Sequence, residues 1–128
     1  MRAIKFRGQC LDGKWVYGML AHAMVKMGNV DIGYYISNSV GCPFAYEVRP
    51  ETVGQYTGLK DNNGREIWEG DIVEWENLMQ TKIRSVIAYQ ERMFCFVDAH
   101  NNPQEIWCYS FTKIGNIHDN PELLINLS

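Results

Sequence analysis

The chain has few of the residues on which most enzyme and metal chemistry depends. Its three histidines, His22, His100 and His118, are too widely spaced to share a metal ion along one element. Its four cysteines, Cys10, Cys42, Cys95 and Cys108, form no C-x-x-C pair, which excludes the common zinc and thiol-redox motifs. No serine sits in a G-x-S-x-G elbow. No apolar run approaches the roughly 18 residues of a spanning helix. The opening residues MRAIKFRGQCLDG lack the apolar core of a secretory signal. Positive charge is also in short supply. Twelve Lys and Arg against fifteen Asp and Glu give a net charge of −3 and a pI of about 5.6. That balance supplies no general attraction to nucleic acid or to an anionic membrane. The expectation is a cytoplasmic protein with reduced thiols, no cofactor and no membrane contact. Cys95 in MFCFV and Cys108 in IWCYS read as small buried hydrophobes.

What the chain does have is aromatic and β-branched residues in short runs, punctuated by glycine and asparagine. Of its 128 residues 46% are hydrophobic and 21% charged, a globular balance. At this length a chain buries about two thirds of its unfolded surface and needs no metal or disulfide to fold. In AIKFRGQCLDGKWVYGML, Ile4 and Phe6 alternate with Lys5 and Arg7. Asp12-Gly13 then predicts a hairpin turn in which both residues take positive φ, and the return strand puts Trp15 and Tyr17 on one face. Residues Ala21 to Met27 fit a helix or a strand, and Gly28-Asn29 favours a strand and a second hairpin into VDIGYYI. NSVGCPFAYEVRPETVG reads as an irregular connection, with a mobile middle, leading through Val48 and Pro50 into an edge strand.

The second half alternates more clearly. EIWEGDIVEW follows a turn, and TKIRSVIAY places Ile83, Ser85, Ile87 and Tyr89 on one side. MFCFV and EIWCYSF follow. KIGNIHDNPELL predicts a brief strand and a short helix, capped by Asp119 or Asn120 with Pro121 at its first position. Strands of about five to eight residues at this spacing predict a mainly β fold, a small antiparallel barrel or a strongly bent sheet.

VGQYTGLKDNNGREIWEGDIVEW looks like a candidate phosphate or metal loop. A P-loop requires G-x-x-x-x-G-K-[ST]. Here Gly58 and Gly64 are one residue too far apart, and Arg65-Glu66 follows. An EF-hand loop counted from Asp61 requires glycine at its sixth position, which is Glu66. Two turns remain, at Asn63-Gly64 and Gly70-Asp71, bracketing a short strand of Ile67 and Trp68. The carboxylates Glu66, Glu69, Asp71, Glu74 and Glu76 are the best clue to an enzyme. Glu74 and Glu76 on one strand face read more simply as a solvated edge that resists pairing. Pairing Cys95 with His100 as a nucleophile is weaker still, because Cys95 lies in an apolar run. The aromatics are chiefly core material. A face carrying some of them beside Lys or Arg can also stack single-stranded bases. Lys5, Arg7, Lys14 and Trp15 of the first hairpin, with Arg65 and Trp68 of the second half, are the candidate partner- or nucleic-acid-binding residues. Lys82, Arg84 and Arg92 add further positive charge.

Three stretches, IKFRGQCLDGKWVYGML, VRPETVGQYTGLKDNNGREIWEGDIVEW and IGNIHDNPELL, together resemble the YopX family of small bacteriophage and prophage proteins. The resemblance covers the chain apart from about Ala21 to Tyr46. It implies a β-rich, barrel-like fold and a phage-derived protein in a bacterial host. It brings no catalytic residues and no established activity. Residues 1–128 are therefore expected to form one YopX-like domain: a hairpin layer, an SH3-like small-barrel half and a short C-terminal helix. The possible halves, 1–60 and 61–128, share one core. The expected function is a non-enzymatic binding or assembly module, homo-oligomeric, with a phage or host protein as a further partner. The alternative is a nucleic-acid-binding accessory protein using a basic, aromatic sheet face.

Overall fold

The structure, a computed structural model, describes residues 4–37, 45–90, 93–97, 103–105 (backbone only) and 110–124. Cys42, Arg92, His100, Trp107, Cys108, Tyr109 and the middle of the connection after Ser37 lie outside them. The chain is mainly β, with two antiparallel sheets, and divides into two compact units, Met1–Tyr56 and Thr57–Ser128.

The first unit holds β1 (Phe6–Gln9), β2 (Trp15–Ala23), β3 (Gly33–Ser37), β4 (Ala45–Val48) and the start of β5 (Gly54–Lys60), in the order β4-β3-β2-β1-β5. The period-2 alternation sorts its faces. Val16, Ile36 and Val48 are buried together, with Phe6, Leu20, Tyr34 and Tyr46 packed around them. Gly8 lies against Val48 so closely that a Cβ there would come within 2.8 Å of the valine Cβ. After β4 a 3-10 turn, Pro50–Thr52, is fastened to the end of β1. Arg49 N donates to Gln9 O, Gln9 N donates to Thr52 Oγ1, and Arg49 Nη2 donates to Gln9 Oε1.

The first hairpin forms as expected but with a different loop. Gly13 N donates to Cys10 O and Cys10 N donates to Lys14 O. Only Gly13 takes positive φ (+92°); Asp12 does not. This is a type I turn closed by one left-handed residue, and Asp12 Oδ1 serves it by accepting from Lys14 N. Gly28-Asn29 turns the second hairpin, so Ala21–Ala23 are strand, not helix.

The second unit takes the end of β5, β6 (Glu66–Trp68), β7 (Asp71–Glu76), β8 (Lys82–Gln90), β9 (Met93–Val97), β10 (Pro103–Glu105) and β11 (Phe111–Asn116). Its five-stranded sheet runs β10-β9-β8-β7-β11. Ile67, Val73, Trp75, Ile87, Phe96 and Phe111 form the core. Trp75 stacks on Phe96 with ring centres 5.1 Å apart, and Phe96 meets Phe111 edge-on at 5.6 Å. The buried Ser85 accepts a 3.0 Å hydrogen bond from the Trp75 indole, which satisfies a donor that would otherwise cost free energy in the core.

The short helix expected near the C-terminus is a single 3-10 turn, Pro121–Leu124. Asn120 does not cap it forwards. Its Oδ1 reaches back to accept from Asn116 N, while Leu123 N bonds Asn120 O at the tighter i to i+3 spacing. The turn lies on the sheet beside Gly115, where a Cβ would come within 2.9 Å of Leu123 Cδ1.

Candidate functional site

The loop Asp61-Asn62-Asn63-Gly64-Arg65 is built like the first hairpin loop. Gly64 N donates to Asp61 O, Asp61 N donates to Arg65 O, and Gly64 takes φ +79°. Asp61 is its centre. Its side chain is fully buried, Oδ1 accepts from Asn63 N and Arg65 N, and Oδ2 accepts from Arg65 Nε and from Lys113 N on β11. Burial pushes this carboxyl up. The N–H donors of Lys113, Arg65 and Asn63, with the Arg65 charge, outweigh burial and hold it below its ordinary range. Arg65 Nη2 then donates to Lys113 O at 2.8 Å, and Asn62 N donates to Phe111 O. The loop thus occupies backbone groups along the outer edge of β11. Its polar residues are consumed in closing a sheet edge, and no cradle of N–H groups faces solvent for a phosphate.

The second turn works similarly. Gly70 has φ +91°, and the fully buried Asp71 accepts a 2.7 Å hydrogen bond from Trp68 N. Lys113 Nζ lies 3.3 Å from the other Asp71 oxygen. Asp61 and Asp71 therefore both engage Lys113, one through its backbone and one through its ammonium.

The residues singled out from sequence fall in several places. Lys5 and Arg7 alternate onto the face that carries Trp15 and Tyr17, with Arg7 opposite Tyr17. There each cation is stacked within the chain: Lys5 Nζ lies 4.8 Å from the Tyr56 ring centre, and Arg7 lies at the same distance over Trp15. Arg7 is only 2% exposed and Trp68 is also buried. Lys14 and Arg65 are exposed, but Arg65 is held by Asp61 and Lys113.

The carboxylates do not converge. Asp71 shares a face of β7 with Val73 and Trp75, and Glu74 and Glu76 point to the other. Arg84 Nε binds Glu74 at 3.3 Å and its Nη1 donates to Leu123 O. Glu76 stands opposite Lys82. The edge reading of Glu74 and Glu76 fails, because β7 lies between β8 and β11; they are one half of a charge-paired face on an interior strand. With Asn62, Lys82, Ser110 and Thr112 they line an open groove of about 280 Å³. Among the described residues no three His, Cys, Asp or Glu side chains gather to hold a metal ion. Cys95 is buried. The Cys10 thiol is pushed up by burial and by the Asp12 carboxylate, against Lys14, the opposite of what a nucleophile needs.

Sequence reasoning missed the most exposed apolar feature of the first unit. β1 pairs with β2 only as far as Gly18, and β4 pairs with β3 only as far as Tyr34. Beyond these points β2 and β3 continue as a two-stranded arm around Gly28-Asn29. Met24 (74% exposed), Val25 (62%), Met27 (60%), Val30 (43%) and Ile32 (62%) lie along it. The signal was present in MVKMGNVDI: apolar residues crowd both sides of a turn, where hairpin tips are usually polar.

No curated protein matches the chain. Among solved structures, the crystal structure of protein EF1440 from Enterococcus faecalis is similar to it, with a TM-score of 0.58, 24% sequence identity, and coverage of 97% of this chain and 99% of that one. At that identity the likeness shows the fold alone. The YopX protein family matches residues 5–125, a span that holds every loop and clamp described above, and the chain belongs to that family.

Proposed function

We propose that this YopX protein is a phage-derived, non-enzymatic binding or assembly module that acts as a homo-oligomer in the bacterial cytoplasm. The exposed apolar arm of β2 and β3 carries this reading. Exposed apolar patches on a soluble protein mark interaction sites, whereas Asp61, Arg65, Asp71, Glu74 and Arg84 are already engaged within the chain. The strand order β10-β9-β8-β7-β11 supports reading the second unit as an SH3-like small barrel, in which four consecutive strands meander and the last returns beside the first. A phage or host protein is the further partner. Light scattering at two concentrations tests the oligomer: a mass above the 14.8 kDa monomer at both is expected, and monomer alone at both rejects it.

Nucleic-acid binding is the second reading. The shared face of Lys5, Arg7, Trp15 and Tyr17 favours it, and the stacking of both cations on the chain's own aromatics weighs against it. Fluorescence anisotropy with single-stranded and duplex DNA and RNA decides. Binding at micromolar protein that weakens steeply with salt would establish it; its absence removes it.

A further inference from the structure

We infer that the β2–β3 arm is the self-association surface and that it packs against the same arm of a second copy about a two-fold axis. This rests on the homo-oligomer reading and adds where and how the copies meet. Three observations carry it. The first is structural. A bare two-stranded ribbon is marginal in water, and this one is poorly paired. Ala23 is opposite Gly33 and Met27 is opposite Val30. Three residues, Met24 to Lys26, therefore face only two, Asp31 and Ile32, and no ladder pair joins them among the described residues. The Asp31 carbonyl accepts from the Tyr35 hydroxyl, and the unladdered stretch Met24 to Lys26 is where a neighbouring strand can add.

The second observation is chemical. The arm's exposed side chains are methionine, valine and isoleucine. Methionine adapts its shape to a partner surface and recurs where such surfaces must fit irregular neighbours. The third is charge. The arm carries one cation and one anion, Lys26 and Asp31, whose charged atoms lie 3.8 Å apart in one copy with both side chains about 70% exposed. A neutral surface holding one charge of each sign has no preference for a polyanion or an anionic membrane. It is complementary to itself, because a two-fold axis sets Lys26 of each copy against Asp31 of the other. An isologous contact requires this self-complementarity.

The test separates the surface from the oligomer. Light scattering first establishes whether the wild type exceeds the monomer mass; monomer at both concentrations rejects the oligomer, and the arm contact with it. Met27→Asp and Ile32→Asp place a charge on the arm at exposed positions, and thermal unfolding confirms that each variant folds. Each is expected to be a monomer at a concentration where the wild type is not. A folded variant that keeps the wild-type mass overturns the arm contact and leaves the oligomer standing elsewhere. Lys26→Asp and Asp31→Lys alone set like charges against each other across the axis. Each is expected to weaken self-association by roughly tenfold, the scale of two exposed ion pairs lost and replaced by repulsion. Mixing the two variants is expected to restore association as a heterodimer, since opposite charges again meet across the axis. The pair inside each single arm stays broken in that mixture, so restoration cannot come from repair within one copy. A mixture that remains as weak as its components overturns the two-fold arrangement.

Discussion

Single polar residues in this protein act chiefly by satisfying backbone groups, and Asp61 shows the physics most plainly. A buried carboxylate is costly unless hydrogen bonds replace its water. Asp61 has four hydrogen-bond donors within 3.1 Å, and its folded carboxyl is held below its ordinary value of 3.8. Because the folded value is the lower one, the stabilisation is fully present above the unfolded value and is lost as pH falls through the folded one. Asp61→Ala is expected to lower stability at pH 7 by about 2–3 kcal/mol, since it strands several donors of a charged acceptor. Asp61→Asn is expected to flatten the loss of stability below pH about 4. Urea unfolding of the wild type and both variants between pH 2 and 7 checks both outcomes. Gly8 illustrates a different constraint. Its neighbour is the branch point of Val48, close to the backbone, so a methyl group there cannot be accommodated by rotating a long side chain. Gly8→Ala is expected to cost about 1–3 kcal/mol, read as a lower denaturation midpoint.

At the scale of elements, one loop design recurs three times. Cys10–Lys14, Asp61–Arg65 and Asn77–Thr81 share the same pair of backbone hydrogen bonds and the same left-handed fourth residue. In the first two that residue is glycine. In the third it is Gln80, at φ +61°, the only non-glycine residue with positive φ among those described. Asn77 Oδ1 steadies this loop by accepting from Met79 N and Thr81 N, as Asp61 does in its own. Gln80→Gly is expected to raise stability by about 0.5–1 kcal/mol, because relief of the Cβ strain exceeds the entropy that glycine adds to the unfolded chain. Gln80→Val is expected to lower it, and chemical denaturation of the two variants reads the sign of each change.

The same elements show what the sequence made legible. Asp-Gly and Asn-Gly located two of these turns, but NLMQT contains no glycine or proline, and Asn77 alone, favoured at the first turn position, marks its turn. Alternation correctly placed Ile83, Ser85 and Ile87 on one face of β8. It left Glu74 and Glu76 misread, because period 2 fixes the face of a residue and not the position of its strand in the sheet. That position depends on β11 returning to β7, a pairing between distant residues that no local pattern encodes. Arg65 illustrates the same limit at the candidate site. Its charge and loop position were visible, whereas its engagement with Asp61 and Lys113 required the return of β11.

For the whole molecule, the balance lies between a small net negative charge and a concentrated apolar arm. Association through that arm is expected to depend little on ionic strength between 0.1 and 0.5 M salt, since exposed ion pairs contribute only about 1 kcal/mol or less. It is expected to strengthen as pH approaches the pI of about 5.6, where mutual repulsion between copies vanishes. Sedimentation velocity across salt and pH measures both trends. A fall in association with salt as steep as that of a phosphate-binding protein would contradict the apolar origin.

The closed edge of β11 limits how copies of this chain can add to one another. A strand with open N–H and C=O groups can template the next, and growth by that route has no natural end. Here Asn62, Asp61 and Arg65 already hold Phe111 O, Lys113 N and Lys113 O, so an incoming strand at β11 would first have to break the Asp61 loop. The proposed two-fold contact between arms, by contrast, uses both arms when it forms and leaves none to recruit a third copy. Copies that meet through the proposed arm contact therefore stop at a pair, and the β11 edge offers them no template for strand-by-strand growth.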